Sequence, residues 1–166
     1  MNIVSWNVRG LGRPAKRFLV KDFLSMHFAD ICCLQESKLE MINPSVWREI
    51  GGLRIDKYVY SPEKGSAGGI ILGWNSAMLS GNIVFVGEFS VTADFCSLID
   101  KFQWRCTTVY GPNASSRKLD FWEEIRKCEN VGHAPWVICG DFNAIFDKEE
   151  MQHNYKQKSS DKHTLM

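Results

Sequence analysis

The chain has 166 residues, 45% of them apolar and 23% charged, a make-up that suits one folded domain and excludes both a disordered chain and two full domains. The formal charge of +1 means that bulk charge does not mark it as a nucleic-acid binder. No apolar run reaches the roughly 18 residues needed to span a bilayer, so no membrane partner is expected.

The first strand is read at Asn2 to Asn7 and begins almost at once, with no leader before it. Gly10 and Gly12 punctuate a loop, and Pro14 suits the first turn of a helix running to about Phe28. Leu19, Phe23 and Met26 form the expected apolar stripe of that helix, flanked by Val20 and Leu24. A short buried strand follows at Ile31 to Leu34, ending on Gln35-Glu36. A helix around Val46 to Ile50 is stopped by Gly51-Gly52.

Five strand-like segments come next, at Lys57 to Ser61, Gly69 to Trp74, Asn82 to Val86, Ser90 to Ile99 and Gln103 to Tyr110. A further helix is expected from Ser116 to Cys128, with Leu119, Trp122 and Ile125 inward, and a last strand at Trp136 to Cys139. The order β-α-β, a run of strands, then α-β predicts an α/β fold of α+β character, layered as a sandwich, in preference to a doubly wound parallel sheet. There is no internal repeat, and the stretch from Asp147 onward is polar and lacks a core pattern.

The six cysteines, Cys32, Cys33, Cys96, Cys106, Cys128 and Cys139, sit mostly in apolar segments. No C-x-x-C pair is present, so neither a disulfide framework nor a zinc site fits, and buried reduced thiols in an intracellular protein are expected. Cys32 and Cys33 are adjacent, and on a strand they point to opposite faces.

Four polar clusters share one position, the C-terminal end of an apolar strand. They are Asn7, Glu36, Tyr110 with Asn113, and Asp141 with Asn143. Singly, a polar residue there is more often a turn former or helix cap. Together, two carboxylates, several amides and a phenol make a poor nucleophile–base triad and a good set for a hard divalent cation and an anionic oxygen. Arg9, Arg13, Lys16, Arg17 and Lys21 follow the first cluster, and from the residues alone they read first as a solvated helix face, with a nucleic-acid contact as the alternative.

Trp6-Asn7-Val8-Arg9-Gly10-Leu11, Leu34-Gln35-Glu36-Ser37-Lys38, Tyr110-Gly111-Pro112-Asn113 and Gly140-Asp141-Phe142-Asn143-Ala144 resemble the successive signatures of the exonuclease–endonuclease–phosphatase, or DNase I-like, family. Ser66-Ala67-Gly68-Gly69-Ile70 resembles its Gly-rich strand, and the wording is most similar to the endonuclease domain of plant LINE-type retrotransposons. The resemblance implies a four-layer β-sandwich flanked by helices, with residues 1–150 as the N-terminal part of the domain and 151–166 as a polar tail opening the next helix. It implies Mg²⁺, with Mn²⁺ as an alternative, held by Glu36 and Asn7. Asp141 would act on the attacking water, Asn143 and Tyr110 on the phosphate, and Asn113, Lys38 and Arg9 would support the site from its edge. DNA is the implied substrate, with no stable protein partner, and the setting is intracellular, the nucleus included.

Two departures stand out. Arg9 replaces the acidic residue of abasic-site enzymes, which favours nicking of ordinary DNA. The family's adjacent Asp-His pair is expected to be missing together with the C-terminal strands, since Asp161 and His163 belong to a capped helix start. His27, His133 and His153 offer no replacement by motif. The alternative expectation is a truncated retroelement remnant, catalytically inactive, that at most binds metal or DNA weakly.

Overall fold

The computed structural model describes residues 1–63, 68–129 and 134–143. Its elements in order are β1 (Ile3–Asn7), α1 (Pro14–Met26), β2 (Ile31–Gln35), α2 (Pro44–Gly51), β3 (Lys57–Ser61), β4 (Ile70–Trp74), β5 (Leu79–Val86), β6 (Ser90–Ser97), β7 (Gln103–Tyr110), α3 (Lys118–Lys127) and β8 (Trp136–Asp141). Every strand and helix expected up to residue 143 is present, β5 starting three residues earlier and β6 ending two earlier; the helix start expected within 151–166 lies outside the described residues.

The strands form two four-stranded sheets, ordered β1-β2-β4-β3 and β5-β6-β7-β8. Each contains one parallel pair, β1 with β2 and β7 with β8, joined through a crossover helix, α1 or α3. The remaining pairings are antiparallel. Although the sequence shows no repeat, the first and the last elements among the described residues thus build the same β-α-β unit.

Three cores separate four layers. Val20 and Leu24 of α1 and Trp47 and Ile50 of α2 pack with Cys32, Leu34 and Ile71 on the outer face of the first sheet. Ile31, Cys33, Leu72, Phe95, Trp104 and Cys106 fill the space between the sheets. Phe121 and Ile125 of α3 pack with Phe89 and Val109 on the outer face of the second. β2 and β4 are buried along their whole length, as strands covered on both faces must be. Cys32 and Cys33 do point into different cores.

The helix faces differ from the expectation. Leu19 and Met26 of α1 are exposed and Phe23 is partly so, while Val20 and Leu24 are buried. The cause is a charged residue. Arg17 donates to Glu49 at 2.6 Å and to the carbonyls of Leu11 and Gly12 at 3.0 and 3.1 Å, which turns the face bearing residues 17, 20 and 24 inward. Arg17 is therefore committed to the scaffold and leaves the basic group offered to nucleic acid.

α3 is turned the same way by an anion. Glu124 accepts from the backbone N–H groups of Glu88 and Phe89 at 3.0 and 2.9 Å and from the Ser90 hydroxyl at 2.6 Å. Phe121 and Ile125 then face the sheet, whereas Leu119 and Trp122 do not. Glu124→Ala would strand these donors and should lower stability by about 2–3 kcal/mol. A fall in the urea midpoint with an unchanged slope is the expected reading.

Candidate active site

Four strand ends meet at one rim because the parallel pair β1–β2 lies across the parallel pair β7–β8. The most direct evidence is a bond between the sheets. Asn7 Nδ2, ending β1, donates to Asp141 Oδ2, ending β8, at 3.0 Å. Asn7 Oδ1 accepts from the Arg9 backbone N–H at 3.1 Å, which fixes the orientation of the amide.

The Glu36 segment is held by backbone on both sides. Gly10 N–H donates to the Glu36 carbonyl at 2.7 Å, and the Ser37 and Lys38 N–H groups donate to Gly69 and Gly68 at 3.1 and 2.8 Å. A Cβ on Gly68 would stand 3.0 Å from the Tyr110 ring and 3.1 Å from Glu36 Cγ, so the bare backbone there lets phenol and carboxylate share one pocket. Arg9, Glu36, Lys38 and Asn143 all adopt left-handed backbone, with φ of 50°, 57°, 52° and 46°. Non-glycine residues hold that conformation only where their surroundings impose it, and such positions gather at functional sites.

Lys38 Nζ lies 3.0 Å from Glu36 Oε1. That hydrogen bond raises the ammonium above its ordinary pKa, so the lysine stays charged. Burial raises the Tyr110 phenol, helped by the carboxylates of Glu36 and Asp141, against a hydrogen bond with Asn143 and the charge of Lys38. Tyr110 is thus a protonated donor set between two carboxylates. Asp141 Oδ1 accepts from Asn143 N–H at 2.9 Å, and Asn143 Nδ2 donates to the Gly111 carbonyl at 2.6 Å.

The structure therefore brings together Asn7, Glu36, Lys38, Tyr110, Asp141 and Asn143. Arg9 joins through its backbone and exposes its side chain. Asn113 does not join: it is exposed in the loop after β7 and, among the described residues, makes no hydrogen bond to the others. Ser66, Ala67, His133, His153, Asp161, His163 and the tail 151–166 lie outside the described residues.

Two participants escaped the sequence reading. Lys118 Nζ donates to the Asn143 carbonyl from the start of α3. A lysine is electrostatically out of place at a helix N-terminus, and that anomaly was the available signal. Gln35 is buried beneath the rim, where Nε2 reaches the Cys33 carbonyl at 2.8 Å and the Ser5 and Thr108 hydroxyls at 3.3 Å each. An amide closing an otherwise apolar strand was its signal.

Carboxylate and amide oxygens are the donors a hard divalent cation prefers, and Glu36 with Asn7 provides them at the rim. A family model described as Endonuclease/Exonuclease/phosphatase family matches residues 4–163. No curated protein sequence matches the chain. The human Nocturnin catalytic domain with bound sulfate is similar in structure, with a TM-score of 0.66 at 15% identity, over 91% of this chain and 67% of that one. The endonuclease domain of TRAS1, a telomere-specific non-LTR retrotransposon, has a TM-score of 0.61 at 11% identity, over 95% and 70%. D. rerio TDP2 complexed with a single-strand DNA product has a TM-score of 0.58 at 16% identity, over 92% and 64%. At these identities the likeness is one of fold, and the chain spans about two-thirds of each structure.

Proposed function

Because the chain belongs to the endonuclease/exonuclease/phosphatase family, we propose that it is the N-terminal part of a Mg²⁺-dependent endonuclease domain of the LINE retrotransposon type, nicking DNA to leave a 3′-hydroxyl. The observation that carries this reading is the Asn7–Asp141 bond, which joins two sheets at the place where Glu36 and Tyr110 also arrive. DNA as substrate is supported by the likeness to a retrotransposon endonuclease and to a protein complexed with a DNA product. Mg²⁺, or Mn²⁺ in its place, would be held by Glu36 and Asn7.

A bound divalent cation supplies charge neutralisation at the scissile phosphate. The chain's own groups do the rest. Asp141 accepts the proton of the attacking water and orients it. Tyr110, kept protonated by its surroundings, donates to a phosphate oxygen. Lys38 and the exposed Arg9 add positive charge at the edge, where phosphate contacts make binding salt-sensitive. Asn143 holds the phosphate side of the pocket together through Gly111 and Lys118. Residues 1–150 are taken as the catalytic body and 151–166 as its tail.

A plasmid-nicking assay tests the proposal. Relaxed circles are expected with Mg²⁺, none with EDTA, and a loss of about a hundredfold or more in Glu36→Gln. Mg²⁺-independent nicking, or full activity in Glu36→Gln, would sink the metal assignment. A folded chain that cuts nothing would support an inactive remnant.

A further inference from the structure

Cys33, Cys106 and Cys139 stand in no local motif, yet their sulfur atoms all lie within 4.8 Å of one another. They come from β2, β7 and β8, that is, from both sheets. Cys33 and Cys106 Sγ are 3.9 Å apart and fully buried, while Cys139 is half-buried and opens the cluster on β8, the edge strand among the described residues. The absence of a C-x-x-C pair argued against a metal centre in the sequence. It carries no such weight once three strands are seen to bring the thiols together.

We propose that Cys33, Cys106 and Cys139 form a site for one thiophilic metal cation of the Zn²⁺ or Cu⁺ class, set between the sheets beneath the rim. With metal–sulfur bonds of about 2.3 Å, three thiolates around one centre stand roughly 3.8–4.0 Å apart. The sulfurs are close to that spacing already, so small side-chain adjustments suffice. Each thiol that ligates gives its proton to solvent as its bond to the metal forms, through the half-buried Cys139 side.

The place in the fold gives the site its meaning. Cys33 lies two residues before Gln35 on β2, Cys106 two before Thr108 on β7, and Cys139 two before Asp141 on β8, so each pair shares a face of its strand. The inter-sheet space is therefore stacked: thiols below, the Gln35–Ser5–Thr108 hydrogen bonds above them, and the oxygen-rich rim on top. The two ends select opposite cations, hard at the rim and soft beneath. A cation held by all three thiols would tie β2 to β7 and β8 directly under the residues that face substrate.

The inference stands apart from the endonuclease reading, and its test is independent of nicking. The full chain, reduced and metal-free, is titrated with Cd²⁺ followed by its ultraviolet sulfur-to-metal charge-transfer band, and with Zn²⁺ in competition with a chromophoric chelator. One equivalent per chain is expected, with a rise in Tm of about 5 °C. Cys139→Ser, at the least buried position and checked for fold by circular dichroism, should bind at least a hundredfold more weakly. Cys96→Ser and Glu36→Gln should bind as the parent does. The proposal is overturned by the absence of the charge-transfer band, by a band that survives in Cys139→Ser, or by one that disappears in Cys96→Ser.

Discussion

Asp141→Asn is expected to slow Mg²⁺-dependent nicking about a thousandfold while the fold stands. Asp141 lies at the rim, half-buried, and no core depends on it. Its two oxygens have separate duties, Oδ2 accepting from Asn7 Nδ2 at 3.0 Å and Oδ1 from Asn143 N–H at 2.9 Å. An asparagine keeps only one oxygen, so either the Asn7 amino group or the Asn143 N–H must face an amino group in place of an acceptor. The replacement also removes one of the charges that raise the Tyr110 phenol, whose titration should move back toward its ordinary range. Single-turnover rates and an ultraviolet phenol titration read both effects. A loss below tenfold, with the phenol unmoved, would mean that Asp141 has no part in the chemistry.

The largest stability loss is expected from Gly140→Ala, about 4 kcal/mol or more. Gly140 has φ of +142°, and an added Cβ would lie 2.0 Å from the carbonyl oxygen of Val109 on the neighbouring strand. That obstacle is backbone within the β7–β8 pairing, so no rotamer change relieves it. The damage falls one residue before Asp141, and nicking should be lost together with stability. Gly12→Ala meets nothing within 4 Å and should change Tm by less than about 2 °C. Equal denaturation midpoints for the two variants would show that the β7–β8 pairing tolerates a side chain at residue 140.

The strands were legible because their apolar runs are short and bounded by turn formers, and Asn7, Glu36, Tyr110 and Asp141 were legible as polar residues closing such runs. The helix faces were not. Counting apolar residues alone favoured Leu19-Phe23-Met26 and Leu119-Trp122-Ile125, whereas Arg17 and Glu124 decide which face turns inward, Arg17 by bonding to Glu49 of α2 and to the loop before its own helix, Glu124 by bonding to backbone groups of the distant β5–β6 turn. A charged side chain with several fixed partners outweighs one or two exposed aliphatic groups. Gln35 and the three thiols were hidden for a related reason. Gln35 reaches Thr108, and Cys33 meets Cys106, only across the inter-sheet space, a pairing that local spacing does not encode.

The Asn7–Asp141 bond has a consequence in time. Its partners stand 134 positions apart, at opposite ends of the described chain. Contacts of such long range carry the largest loop-closure entropy and form after local structure. During synthesis the first β-α-β unit can leave the ribosome and pack its helices while β8 has yet to be made. Over that interval Glu36 and Asn7 are present without Asp141, so on the endonuclease reading proposed above the nascent chain would lack a complete site. The rim closes only when β8 docks.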